Sequence, residues 1–174
     1  MKKILKIIGV LIVGFIAVTA LAGGGSDSKS SSNSKPKWNM NFDDQMATVE
    51  NMKICIDIMK KMDNVAAHAK KVSPSDVFNN MDKYMGQVLE FGATITEVED
   101  APPKSGAAKA FGGSAHVVVA KTDDGVTVMA TKKGDSASAN SNVGSFTVIV
   151  GMPVCLQELP GVGEKILVIA GNPK

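Results

Sequence analysis

Apolar and polar residues alternate along residues 84–98 more regularly than anywhere else in the chain. Successive side chains of a strand point to opposite faces, so this alternation predicts a strand at 88–98 with one buried side. The apolar face would hold Leu89, Phe91, Ala93 and Ile95, and the polar face Glu90, Gly92, Thr94 and Thr96. A glycine in mid-strand, Gly92, predicts the bulge or sharp bend that a barrel strand needs.

Four further segments, 115–121, 126–131, 145–151 and 165–170, also have the composition of strands. Asp124-Gly125 lies between the first two, and Asp-Gly between Val-rich runs predicts a hairpin. Polar loops are predicted at 100–113 and 132–144, and the Pro-Gly pair in 159–163 predicts a turn before the last strand. Five strands in this order predict a small barrel.

Before the strands, apolar residues recur every three or four positions over residues 42–72, which predicts an amphipathic helix. Asp43 or Asp44 would cap its start. We expect the helix to pack on the domain, and a coiled-coil or partner-binding helix is the alternative. Ser73-Pro74 would end it, and a short helix would follow at 77–84.

The first 22 residues have the pattern of an export signal: three lysines, an apolar run over 7–22, and Ala20-Leu21-Ala22 as a cleavage site. The run is shorter than the roughly 20 residues of a membrane span, and an uncleaved membrane anchor is the alternative. The segment 23–41 is mostly Gly, Ser and Lys as far as Lys37. This composition predicts a disordered linker.

Charge argues against a nucleic-acid partner. The formal net charge of +2 includes the three lysines of the export segment, and the remainder has 16 lysines against 17 acidic residues. The chain has no arginine, the side chain that grips phosphate and guanine with a planar fork. Its few aromatic rings offer little for bases to stack on.

The sequence reads Tyr84-Met-Gly86-Gln87-Val88, followed by Gly92, Thr94 and Val98 at strand spacing. This stretch resembles small bacterial envelope proteins with an OB-fold, and in particular the tRNA-anticodon-binding-like OB-fold family. In that family the opening reads Tyr-x-Gly-Lys and then Val-x-x-x-Gly-x-Val-x-x-Val, so Gln87 and Thr94 depart from the pattern. Residues 144–151 are similar to the family's fourth strand. The resemblance covers residues 75–170.

The resemblance implies a five-stranded OB-fold barrel at 73–174. Together with the helix at 42–72, the linker at 23–41 and the signal or anchor at 1–22, the predicted fold is mainly β with α. The family name implies nucleic-acid binding only by analogy of fold, and fold does not fix function.

Cys55 and Cys155 are the only cysteines. Export would permit a disulfide between them, worth about 4–5 kcal/mol in the chain-entropy model, and two buried thiols are the alternative. No pair among these cysteines, His68 and His116 has zinc-ligand spacing, so no metal site is predicted. No nucleophile–base pair or paired carboxylates appear, so the sequence predicts no catalytic residue and no cofactor.

OB-folds commonly bind ligands on the outer face of strands two and three and on the adjoining loops. On that surface the candidate ligand residues are Thr94, Thr96, Lys109, Phe111, His116, Thr127, Met129 and Thr131. The set is polar and lacks an aromatic platform in the strands, so it suits a peptide, protein or glycan, and a merely solvated sheet face is the alternative.

The sequence therefore predicts an exported, non-enzymatic OB-fold binding or interaction module, membrane-anchored at the cell envelope or secreted. Its partner would be an envelope protein, peptide or glycan, and it would also contact the membrane if the N-terminal segment stays uncleaved. A nucleic-acid-binding OB-fold protein is the second prediction.

Overall fold

The computed structural model describes residues 36–42, 45–158 and 164–173, and in it six strands form one sheet that closes in a ring. The strands are β1 (Lys70–Lys71), β2 (Leu89–Asp100), β3 (Ala115–Lys121), β4 (Thr127–Lys133), β5 (Phe146–Glu158) and β6 (Lys165–Gly171). Their order is β1-β2-β3-β4-β6-β5, and β5 pairs with β2 to close the ring. The five predicted strands are all present, β5 longer than expected.

Ring closure depends on the length of β2, which serves two partners. Its first half pairs with β5 over Leu89–Thr94, and its second half pairs with β3 from Thr94 to Asp100. The register shifts between Ile95 and Glu97, and the hydroxyl of Thr96 donates to the Val119 carbonyl at 3.1 Å. The bend predicted at Gly92 is wrong, because Gly92 pairs regularly with Val148 and the bulge lies at Thr96.

The apolar face of β2 fills the inside of the ring, as its alternation predicts. The inner cluster takes every second residue of the strands, because side chains alternate between the two faces. It contains Leu89, Phe91, Ala93, Ile95, Val118, Ala120, Val128, Ala130, Ile149, Leu167 and Ile169, together with Val77 and Met81 from the short helices. Every member is buried.

Within the described ranges, four α-helices and one 3₁₀ turn surround the ring. They are α1 (Gln45–Lys61), the 3₁₀ turn Ala66–His68, α2 (Pro74–Asn79), α3 (Met81–Tyr84) and α4 (Gly106–Ala110). The helix predicted to reach residue 72 ends at Lys61, because the edge of β2 binds the following segment: the Lys70 and Val72 amides donate to the Val88 and Glu90 carbonyls. The loop predicted at 100–113 contains the helix α4. Ser105 caps the start of α4, since its side chain accepts a hydrogen bond from the Ala108 amide.

Helix α1 packs on the outside of the ring against β5 and β6, as expected of an amphipathic helix. Met52, Cys55 and Met59 are buried there in a second apolar cluster with residues of the outer sheet face. The fully buried Asn51 fixes the helix in place. Its amide nitrogen donates to the carbonyls of Asn39 and Val154 at 2.9 Å, and its oxygen accepts from the Asn39 amide at 2.9 Å.

Several predictions fall outside the described residues: the signal or anchor at 1–22, the linker up to residue 35, the caps Asp43 and Asp44, and the turn at 159–163. Across the ranges that the structure describes, no helix combines the length and the apolar composition needed to cross a bilayer.

Candidate functional site

The predicted ligand face is covered in the structure. Phe111, Met129 and Thr131 are each at most 2% exposed, and Phe111 and Met129 belong to the cluster on which α1 packs. The prediction that these side chains form an open surface is therefore wrong. They are buried because residues of α1 and α4 pack with the outer sheet face in one apolar cluster.

His116 does not lie on that face either. It lies on the same side of β3 as Val118, which faces the inside of the ring, and it is fully buried. Its ring nitrogens bind the Gly134 carbonyl at 2.7 Å and the Ser141 hydroxyl at 2.8 Å. His116 thus holds the loop after β4 over the end of the ring, which is a structural role.

The remaining predicted residues are dispersed. Thr94 and Thr96 are exposed on β2, whereas the hydroxyl of the half-buried Thr127 binds Glu164 at the far end of β4. Lys109 is exposed on α4. The eight candidates do not form one surface.

Three of them, Lys109, Phe111 and Thr131, do meet at a groove between α1 and α4, which we call the α1–α4 groove. Its volume is about 280 Å³. Both helices supply apolar walls, and Thr131 of β4 lines the groove between them. The full lining is Val49, Met52, Lys53, Ile56, Asp57, Lys60, Gly106, Ala107, Lys109, Ala110, Phe111 and Thr131.

Thr131 is the unusual member of this lining. Its hydroxyl oxygen is buried and has no hydrogen-bond partner among the described residues. A buried polar group without a partner costs roughly 1–3 kcal/mol, and most such groups in folded proteins are satisfied. The oxygen has almost no accessible surface, so it lies beneath the lining of the groove.

The rim of the α1–α4 groove is positively charged. Lys53 and Lys60 on α1 and Lys109 on α4 are exposed, and Asp57 is the one acidic residue of the lining. In the described parts of the chain no carboxylate lies within 4.0 Å of these three ammonium groups; the one ion pair found there joins Lys121 and Glu164 at 3.4 Å. The rim can therefore attract an anion.

A second depression lies where β1 leaves β2, beside the exposed side chains of Phe146 and Val148. The Asp124 carboxylate lies at its edge and accepts hydrogen bonds from the Ser73 and Thr122 hydroxyls and the Ser75 amide. Partial burial alone would raise the pKa of Asp124, but these hydrogen bonds outweigh it and hold the pKa well below its usual range. Asp124 thus joins the β3–β4 hairpin to the start of α2.

Cys55 and Cys155 are buried thiols in the structure, on facing surfaces of α1 and β5. The Cys55 sulfur lies 3.6 Å from the Pro153 carbonyl, and the Cys155 sulfur lies 3.0 Å from the Thr48 hydroxyl. Burial, and then the nearby Cys155, raise the pKa of the Cys55 thiol far above its usual value. Such a thiol is a poor nucleophile and metal ligand.

The groove combines apolar walls with a cationic rim, a combination that suits binding. Within the described ranges no three His, Cys, Asp or Glu side chains are grouped so that they would hold a metal ion. Compared with protein-family models, with curated proteins and with solved structures, the chain gives no match.

Proposed function

We propose that this protein is an exported, non-enzymatic binding module of the cell envelope, built on an OB-fold, with the α1–α4 groove as its ligand site. The observation that carries the proposal is the groove of about 280 Å³ itself, in which apolar walls meet three exposed lysines. Ligand pockets are mostly apolar, with a few polar groups that fix the orientation of the ligand.

The strand order supports the OB-fold part of the proposal. Without the short β1, the ring has five strands in the order β2-β3-β4-β6-β5, with β2 pairing again to β5. Neighbours are antiparallel except for β4 and β6. An OB-fold is a five-stranded Greek-key barrel. The five strands close here because β2 pairs with both β3 and β5.

The chemistry of the lining supports binding over catalysis. Catalysis by a nucleophile needs a base within hydrogen-bond reach of it. The polar side chains of the lining are three exposed lysines, the exposed Asp57 and Thr131, whose hydroxyl has no partner among the described residues. These groups can hold a ligand in one orientation.

A fluorescent apolar dye tests the groove as a binding site. We expect anilinonaphthalene sulfonate to bind the folded full-length chain. Ala110→Phe places a large ring in the groove and should reduce this binding at least fivefold. Ala137→Phe adds the same ring at an exposed loop position and should leave binding unchanged. Equal binding by the two variants would locate the dye elsewhere and contradict the proposal.

Export is tested separately with residues 1–22 fused to a phosphatase that is active only outside the cytoplasm. Activity in cells would support export, and replacing Lys2, Lys3 and Lys6 with Glu should reduce it because the positive n-region is lost. Fractionation then distinguishes a cleaved, released protein from one that stays in the membrane. A fusion without activity would contradict the envelope location.

Two observations count against a nucleic-acid ligand. OB-folds bind oligonucleotides on the outer face of the second and third strands, and here Val117, Val119 and Met129 of that face are buried in the apolar cluster shared with α1 and α4. The chain also lacks arginine.

A further inference from the structure

The second half of β2 has a free edge. β5 pairs with β2 as far as Thr94, and the chain before β5 leaves β2 at Ile95, whose amide donates to the Ser145 carbonyl at 2.9 Å. Beyond that point β2 pairs with β3 on one side. On the other side, no strand of the described chain pairs with residues 97–100.

Val98 and Asp100 turn their main-chain groups toward this free edge. The Ala101 amide donates to the Ala115 carbonyl of β3 at 2.8 Å, and hydrogen-bonded residues alternate along an antiparallel pair. The N–H and C=O groups of Val98 and Asp100 therefore point away from β3, and no main-chain hydrogen bond from elsewhere in the described ranges reaches them. Asp100 is exposed and Val98 is half-buried. Unpaired groups on a sheet edge are a template for a further strand.

Two carboxylates stand beside the free edge. Glu97 and Glu99 are two residues apart in the strand, so they share one face of the sheet, and both are half-buried. Within the described residues, no lysine or histidine nitrogen lies within 4.0 Å of either carboxylate. Burial raises the pKa of both groups, and the charge of Glu99 adds to this effect on Glu97. The edge therefore has negative charge that favours a cationic partner.

This charge distinguishes between two occupants of the edge. A second copy of the chain, paired through the same edge in antiparallel register, would bring Glu97 and Glu99 of both copies together. Like charges on opposed strands destabilise the pair. A strand with a basic residue at every second position would instead place its cations beside both carboxylates.

We infer that the free edge of β2 at residues 97–100 binds an extended basic peptide, which adds a strand to the sheet. The main chain of the peptide pairs with Val98 and Asp100, and two of its basic side chains lie beside Glu97 and Glu99. The edge shares no residue with the lining of the α1–α4 groove, so the inference goes beyond the proposed function and does not depend on it.

Fluorescence polarisation with the full-length chain and labelled peptides tests the inference. The probe is a seven-residue peptide of alternating valine and lysine, which we expect to bind at least fivefold more tightly than the same peptide with glutamate in place of lysine. Raising the salt concentration should weaken its binding. Methylating the alternate amides along one edge of the probe should abolish binding, whereas methylating those along its other edge should not, because an added strand uses one edge only.

Substitutions in the protein locate the site. The double variant Glu97→Gln, Glu99→Gln should weaken binding of the lysine probe at least fivefold. Glu158→Gln removes an exposed carboxylate at the far end of β5 and should leave binding unchanged. The comparison of probes on the unmodified chain remains decisive if the double variant does not fold.

Equal binding of the lysine and glutamate peptides would overturn the inference, because the edge would then not recognise charge. Binding that persists whichever edge of the probe is methylated would also overturn it, since the attraction would not involve strand pairing. Dimers of the native chain that the lysine probe dissociates would assign the edge to a second copy. Dye binding in the α1–α4 groove is measured separately, so each proposal fails without the other.

Discussion

Gly151 and Gly171 pair with each other across β5 and β6, at a point where backbones approach very closely. A Cβ atom on Gly151 would meet the carbonyl oxygen of Ala170, and one on Gly171 would meet that of Thr131. Backbone atoms cannot rotate away, so the strands would have to separate. Overpacking of this kind costs about 1–3 kcal/mol or more.

We therefore expect Gly171→Ala to lower the free energy of unfolding by about 3 kcal/mol in urea denaturation. Gly92→Ala is the control, because its Cβ would meet only the ring of Phe146, which is 66% exposed and can turn aside. We expect Gly92→Ala to cost less than about 1 kcal/mol. Similar losses for the two variants would show that the strands do not approach as closely as the structure has them.

The carboxylate of Asp124 makes the free energy of unfolding depend on pH in the acid range. Its pKa is lower in the folded than in the unfolded chain, so its contribution is fully present above the unfolded pKa of about 4 and is lost as the pH falls through the folded value. Because the Asp124 carboxylate accepts from the Ser75 amide and the Ser73 hydroxyl, Asp124→Asn replaces charge-assisted hydrogen bonds with neutral ones and should cost about 1 kcal/mol at neutral pH.

Urea denaturation across the acid range measures this effect. The difference in unfolding free energy between the native chain and Asp124→Asn should shrink as the pH falls below about 4. Asp123→Asn, at the neighbouring exposed position, changes the net charge equally and controls for it. A difference that stays constant with pH would refute the role of the Asp124 charge.

At the scale of elements, Asn51 is the polar anchor of α1. Its three hydrogen bonds join the helix to Asn39 in the preceding segment and to Val154 of β5. Asn51→Ala would leave the buried carbonyl of Val154 without this donor, and we expect a loss of about 2 kcal/mol in unfolding free energy. Glu50→Gln alters an exposed neighbour on the same helix and should change stability by less than about 0.5 kcal/mol.

The strands could be predicted from the sequence because each signal is local. Alternation in β2 and the Asp-Gly turn after β3 depend only on neighbouring residues, and β3 has the predicted bounds. The end of α1 could not be predicted in this way, since periodicity continues past Lys61 and a distant strand edge at Val88 decides the conformation of Lys70.

The site was predictable only in part for the same reason. The sequence predicts Thr131 on an exposed OB-fold face and Lys109 and Phe111 on an adjoining loop, and the structure joins all three in a groove. What the sequence did not show is where the apolar stripe of α1 docks. The stripe indicates that α1 is amphipathic, but nothing in it distinguishes the outer face of β3 and β4 from that of β5 and β6.

At the scale of the whole molecule, the two cysteines report whether α1 stays on the ring. Cys55 belongs to α1 and Cys155 to β5, and both are fully buried where these elements meet. Neither sulfur can meet a reagent until α1 moves, and the raised pKa of Cys55 keeps it protonated at neutral pH.

We therefore expect both thiols of the native protein to react slowly with a thiol reagent and both to react at once in denaturant. Asn51→Ala should speed the native reaction about tenfold for each 1.4 kcal/mol by which it destabilises docking, since labelling follows the population of the open form. If Asn51→Ala changes the free energy of unfolding and the labelling rate by equivalent amounts, α1 leaves the ring only when the ring unfolds. A larger effect on the labelling rate would show that α1 undocks alone.

The same reagent tests for a disulfide between Cys55 and Cys155. Absence of any reactive thiol in denaturant without reductant would reveal that bond.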